Sequence, residues 1–269
     1  MSNSIKAIFF DIDGTIININ GGPFPDDLES IKEAVAKGHR LFLNTGRSFS
    51  NIPKSLLDLP FWSGVGAGGG AHVLLAGSSA HEKPLYKTIY HKWVHEELLC
   101  DICAWYLKNP KEIILEGEND CYIINPPNRV SRDWPDKIIT RPDDLLSQYS
   151  GDRITKLTIS GGISLPEQKL LEGFFRVNEF HDYTEAIIKG EDKGKALRIL
   201  LDAVGLKQED SIAVGDGIND LEMIQFAGLG VAMGNASPEL KAAAGAITGN
   251  CGAGGAGDVL RRFVLGTNR

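Results

Sequence analysis

The sequence predicts an α/β fold: a doubly wound parallel sheet interrupted by an α+β insert. Three observations predict it. Short apolar runs alternate with amphipathic helical patterns at the start of the chain. Between about 85 and 188 the texture changes to one long helix and several short strands. After Gly190 the first rhythm returns. Strands alternating with helices imply parallel pairing with helices on the sheet faces.

Each element has a local reason. Residues 5–10 are an apolar run and read as a buried strand. Residues 26–37 read as a helix, with acids in the first turn, Leu28, Ile31 and Val35 on one face and Gly38 as the stop. "RLFLN" (40–44) is the next strand, and 48–57 a helix broken near its start by Pro53. The uncharged stretch 59–80 is long enough to span a membrane, but Pro60, a glycine cluster and His72 favour loop and strand.

In the insert, Val94, Leu98, Ile102 and Trp105 predict a helix over 91–107. Strands are expected at 112–115, 121–124 and 153–160, a helix at 166–173, and strands at 174–177 and 183–188. Beyond it come a helix at 193–204, a strand at 211–214, a helix at 218–226, a strand at 229–232 and helices at 238–243 and 257–265. The glycine-rich 249–258 reads as a loop. The expected domains are 1–84 and 189–269 for the sheet and 85–188 for the insert, with hinges near Pro84 and Gly190.

Bulk properties exclude several classes. The 269 residues carry a net charge of -7, which argues against a general nucleic-acid or membrane-surface binder. The first apolar run is too short for a secretory signal and ends in acid. Four cysteines in this length do not make a disulfide framework. A cytoplasmic, reduced setting is expected.

Four motifs carry chemistry. "FFDIDGT" ends the first strand on Asp11 and Asp13, which alternation would put on one face. Two close carboxylates repel unless a cation neutralises them, and hard oxygen ligands suit Mg²⁺. An Asp-Gly turn accounts for Asp13 but not for Asp11 on an apolar strand. "FLNTGRS" (42–48) ends a second strand on Thr45 and Gly46, a hydroxyl and backbone donors for a phosphoryl oxygen, or an ordinary helix cap. "GEDKGKALRIL" (190–200) places Lys193 at a helix start and lacks the spacing and hydroxyl of a Walker A loop. "IAVGDGINDLEMI" (212–224) runs a strand into Asp216, Asn219 and Asp220, mirroring the first motif.

In this order, and with the continuation "VAMGNASPELKAAA" (231–244), the motifs resemble the haloacid dehalogenase-like (HAD) phosphohydrolases, and within them the Cof-like phosphatases. The resemblance spans the whole chain. It implies a Rossmann-like core with an inserted α+β cap. It makes Asp11 the nucleophile and Asp13 the general acid and base. It gives phosphate binding to Thr45, Gly46, Lys193 and Asn219, and Mg²⁺ binding to Asp11, Asp13, Asp216 and Asp220. Asp220 is also expected to hold the metal's waters or Lys193.

The implied reaction is Mg²⁺-dependent hydrolysis of a small phosphorylated metabolite, first of all a sugar phosphate, through an aspartyl-phosphate. Alternatives are a phosphatase of flavin mononucleotide or pyridoxal phosphate, a phosphomutase, or a non-catalytic sensor of a phosphorylated ligand. The expected partner is a small phosphate ester, with no nucleic acid and no membrane. Arg129, Arg132, Trp134 and Lys156 are cap residues that a substrate can meet, and equally ordinary surface groups.

Two signals are discounted. "GVGAGG" (64–69) fits a nucleotide fingerprint but precedes a strand rather than a helix. "CDIC" (100–103) lies in a helix without further ligands at zinc spacing. The family's usual Asn-Gly-Ala is here Gly69-Gly70-Ala71, and Gly245 stands where an aspartate is expected.

Overall fold

Strand β1 (Ala7–Phe10) is buried along its whole length, as an unbroken apolar run requires of a strand covered on both faces. The computed structural model describes residues 4–18, 21–77, 83–126, 137–149 and 151–267. The chain divides into two units, one of residues 1–46, 52–90 and 192–269, the other of 47–51 and 91–191.

In the first unit β1 leads to α1 (Pro25–Ala36), β2 (Arg40–Asn44), α2 (Lys54–Leu57), β3 (Trp62–Ala67), β4 (His72–Ala76) and β5 (Tyr86–His91). The second unit supplies α3 (Glu96–Lys108), β6 (Ile113–Glu116), β7 (Cys121–Ile124), β8 (Lys137–Ile138), α4 (Asp144–Ser147), β9 (Lys156–Ser160), α5 (Leu165–Leu171), β10 (Phe175–Glu179) and β11 (Tyr183–Ile188). The chain returns to the first unit with α6 (Lys193–Val204), β12 (Ser211–Gly215), α7 (Leu221–Phe226), β13 (Leu229–Ala232), α8 (Pro238–Ala243), β14 (Ala246–Ile247) and α9 (Gly255–Leu260).

The first unit holds a sheet in the order β14-β13-β12-β1-β2-β3-β4-β5. The pairings from β14 through to β3 are parallel, and β3–β4 is antiparallel. This is the doubly wound sheet that the strand–helix alternation predicts. Phe9 pairs in register with Phe42, and their rings stack at 4.7 Å in the core. Helix α6 packs on β2, β3 and β4 and against α7, while α1 packs against α9. Three strand ends meet at the middle of the sheet, those of β1, β2 and β12. The order reverses there, which is where open α/β sheets bind ligands.

Helix α6 is specified locally. Asp192 caps it by accepting from the Lys195 N–H at 2.7 Å, and Gly205 ends it in the left-handed conformation. Its buried face presses close to β3. A Cβ at Gly66 would lie 2.7 Å from the Ala196 Cβ and 2.6 Å from the Asn44 Oδ1. Gly66 of "GVGAGG" therefore serves packing here.

The second unit is an α+β layer with sheet order β10-β11-β9-β6-β7-β8. Leu115 pairs with Leu157, and Leu157 with Ala186, so these three share one face. Glu116 pairs with Lys156, and Thr158 with Glu185, on the other. Both helices α3 and α5 pack on strands of this sheet.

Several elements differ from expectation. The helix expected over 91–107 begins only at Glu96: His91 ends β5 of the eight-stranded sheet, the Val94 N–H donates to the Ile154 carbonyl at 2.8 Å, and His95 is extended. The insert expected from 85 thus starts with a strand of the first unit's sheet. The segment 48–57 forms a 3-10 turn and then α2 on either side of Pro53. Residues 218–220 form a 3-10 turn before α7. The last helix starts inside the expected loop, at Gly255, because the Gly257 N–H finds the Asp27 carboxylate of α1 at 2.7 Å. That partner is 230 residues away.

Candidate active site

Asp11 follows β1 directly, and its N–H donates to the Val214 carbonyl of β12 at 2.9 Å. Ladder pairing thus carries one residue past the strand and fixes where the Asp11 carboxylate begins. Asp11 is buried, whereas Asp13 is exposed. The pair does not share a strand face as expected, because β1 ends at Phe10 and the chain turns at Ile12, whose carbonyl accepts from the Ile16 N–H at 3.1 Å.

Lys193, the first residue of α6, is 1% exposed. Its Nζ lies 2.6 Å from Asp11 Oδ1 and 2.5 Å from Asp220 Oδ1. The other oxygen of Asp220 accepts from the Asp216 N–H at 2.9 Å and the Gly217 N–H at 3.0 Å. Asp220 therefore binds Lys193 and pins the turn after β12. Asn44, the last residue of β2, donates to the Lys193 carbonyl at 2.8 Å and so fixes the start of α6.

Thr45 is buried, and its N–H donates to the Gly66 carbonyl at 2.8 Å. Its own carbonyl accepts from the Gly69 N–H at 3.1 Å. A Cβ at Gly46 would lie 3.5 Å from Asn219 Nδ2, so the second and fourth motifs meet there. Gly14 has φ of +72°, and a Cβ on it would stand 2.1 Å from Asp216 Oδ2. Only glycine lets the first motif's turn approach Asp216 so closely.

Carboxylate oxygens of Asp11, Asp216 and Asp220 lie within 4.8 Å of one another. Burial first, and then the charge of Asp220, raise the Asp11 carboxyl above the usual carboxylate range, with Lys193 opposing. The same two causes raise Asp216 to about 6. The attraction of Asp11 and Asp220 outweighs burial at Lys193 and raises its ammonium. Three carboxylates against one ammonium leave excess negative charge among hard oxygens, so the residues present fit Mg²⁺. Asp13 is not in this cluster of side chains.

The structure thus brings together Asp11, Lys193, Asp216 and Asp220, with Thr45, Gly46 and Asn219 at the adjacent strand end. Lys156, a candidate substrate contact, is 5% exposed and engaged by Glu116 and Glu185 at 3.5 and 2.5 Å. Arg129, Arg132 and Trp134 lie outside the described residues. Sequence reasoning gave no role to Asn44 or Asn235. Each follows an apolar strand run beside a motif, a signal that was present but not distinctive.

A family model for haloacid dehalogenase-like hydrolases matches residues 8–260. The chloroplastic endoribonuclease YBEY of Arabidopsis thaliana is 23% identical over 96% of this chain, and the chain spans 46% of that protein's length. The 5-amino-6-(5-phospho-D-ribitylamino)uracil phosphatase YcsE of Bacillus subtilis is 27% identical over 97% of this chain and 96% of its own. The solved structure of the HAD subclass IIB sugar phosphatase BT4131 covers 96% of this chain and 98% of its own, with a TM-score of 0.74 and 23% identity. That last likeness is one of fold.

Proposed function

The chain belongs to the haloacid dehalogenase-like hydrolase family, and on that premise we propose that it is a Mg²⁺-dependent phosphatase of a small phosphorylated metabolite, acting through an aspartyl-phosphate on Asp11. The observation that carries this reading is Lys193 Nζ between Asp11 and Asp220, with Asp216 in the same cluster. A carboxylate attacking a phosphate monoester faces like charge, and a fixed ammonium beside it offsets that repulsion.

The residues then divide the work. Asp11 attacks phosphorus and forms the P–O bond as the ester oxygen leaves. Asp13 protonates that oxygen, then takes a proton from the water that cleaves the aspartyl-phosphate. Its exposure leaves it able to exchange protons with solvent. Lys193, the Thr45 hydroxyl, the Gly46 N–H and the Asn219 amide hold the phosphoryl oxygens. Asp11, Asp216 and the Asp13 carbonyl would hold Mg²⁺, which supplies positive charge against those oxygens. Asp220 holds Lys193 in place.

For the substrate, a sugar phosphate is the first choice. BT4131 is named for sugar phosphates and YcsE for a phosphorylated ribityl chain. A phosphate monoester on a polyhydroxylated carbon chain is common to both. Flavin mononucleotide shares that feature and stays in the panel, as does pyridoxal phosphate.

The test is phosphate release from sugar phosphates, flavin mononucleotide, pyridoxal phosphate and an aryl phosphate. It is run with Mg²⁺, with chelator, and with Asp11→Asn. Metal-dependent release that disappears in the variant is expected. A folded protein that binds Mg²⁺ and releases phosphate from none of them would count against these substrates and favour a sensor or a substrate class outside the panel.

A further inference from the structure

Asn235 joins three segments at the site. It follows β13 and lies on the surface. Its Nδ2 donates to the Gly14 carbonyl at 2.9 Å and to Asp216 Oδ2 at 3.2 Å. Its Oδ1 accepts from the Cys251 N–H at 2.7 Å. The orientation of the amide is forced: Gly14 and Asp216 can only accept there, and a backbone N–H can only donate.

The same loop holds Asp216 a second time, through the Ser237 N–H on the Asp216 carbonyl at 3.0 Å. Gly234 is seated against the following loop, where a Cβ would meet Asn250 Oδ1 at 2.2 Å. So the loop after β13 is anchored on one side and grips Asp216 at backbone and side chain on the other.

Stability alone does not account for this arrangement. An exposed side chain loses rotamer freedom when ordered, and water can replace each of its hydrogen bonds. What water cannot replace is fixed geometry. Asn235 occupies Asp216 Oδ2 and ties it to the first motif's turn, so the carboxylate cannot rotate freely.

We propose that Asn235 is a positioning residue that orients the Asp216 carboxylate for Mg²⁺. This rests on the metal reading of the site given above. Partners that orient metal-binding carboxylates typically contribute roughly 10- to 100-fold to metal affinity.

The test is titration calorimetry of Mg²⁺ into wild-type protein, Asn235→Ala and Asn235→Asp, with phosphatase kinetics at saturating Mg²⁺ alongside. Asn235→Ala is expected to weaken Mg²⁺ binding about tenfold while the rate at saturating metal changes much less. Asn235→Asp sets a carboxylate against two acceptors and is expected to bind Mg²⁺ differently from Asn235→Ala. Far-UV circular dichroism confirms that both variants fold, as substitution of an exposed residue should allow. Equal Mg²⁺ affinity in wild type and Asn235→Ala would overturn the assignment while leaving the metal site intact. No Mg²⁺ binding to wild type would overturn the metal reading itself, and this assignment with it.

Discussion

Lys193 Nζ lies 2.6 Å from Asp11 Oδ1, although the two residues are 182 positions apart and both are buried. The contact joins the first residue of α6 to the residue that follows β1. It also fixes the charge balance of the site: one ammonium among three carboxylates.

Removing that ammonium therefore destabilises the first unit. Lys193→Met leaves Asp11 and Asp220 buried without a cation, and breaking a buried pair in this way costs about 3–5 kcal/mol. Urea unfolding with and without Mg²⁺ reads the effect. Mg²⁺ should restore part of the loss by binding only the folded chain. A variant as stable as wild type without metal would contradict this account of the cluster.

Gly14→Ala and Gly38→Ala separate backbone strain from crowding. Both glycines have positive φ, +72° and +85°. A Cβ at Gly38 meets nothing within 4 Å, whereas one at Gly14 meets Asp216 Oδ2 at 2.1 Å. Each should lose roughly 1–2 kcal/mol of stability from strain. Only Gly14→Ala should also lose phosphatase activity and Mg²⁺ affinity.

His91 makes the protein acid-sensitive. Burial first, and then the Arg153 guanidinium, hold its imidazole down at about 4, with the Asp152 carboxylate opposing. The ordinary value is 6.5. Between those values the unfolded chain binds more protons than the folded one. Stability therefore rises with pH across the window and is lost as pH falls through it. Melting temperatures from pH 7 down to 4 should fall less steeply in His91→Gln than in wild type. Parallel curves would show that other groups set the slope.

Glu116 holds residues 47–51 to the second unit. It accepts from the Ser48 hydroxyl at 3.1 Å and the Thr158 hydroxyl at 2.6 Å, and pairs with Lys156. Burial opposes its charge, but Lys156 and the hydroxyls outweigh it and keep Glu116 below its ordinary range. Glu116→Ala should lower stability by about 3 kcal/mol and speed amide exchange at Asn51, whose N–H donates to the Ser48 carbonyl. Unchanged exchange there would mean that other contacts hold the segment.

Local signals made much of the fold legible in the sequence. Strand β2 and helices α6 and α8 occupy the expected residues, because apolar spacing, the Asp192 and Ser237 caps and the Gly205 stop all act within a few residues. The insert's strands β6, β7, β9, β10 and β11 were legible to within a few residues for the same reason, but the two-residue β8 was not expected, being too short to carry a pattern. Beta5 was not: an exposed and half-buried edge strand carries no strong pattern, and only its neighbour β4 defines it. The start of α9 was hidden because the carboxylate that accepts from its Gly257 N–H, Asp27, comes from the other end of the chain.

The site divides in the same way. Carboxylates at the carboxyl ends of apolar strands singled out Asp11, Asp13, Asp216 and Asp220 in the sequence, whereas the tasks of Thr45 and Lys193 rested on the family resemblance. Tertiary structure alone decided which carboxylate is buried, that Asp220 binds Lys193, that Lys156 is engaged by Glu116 and Glu185, and that Asn235 grips Asp216. The physical reason is range. Strand and helix patterns are written over a few neighbouring residues, whereas charge pairing and burial depend on groups that only the folded chain brings within hydrogen-bond and ion-pair distance.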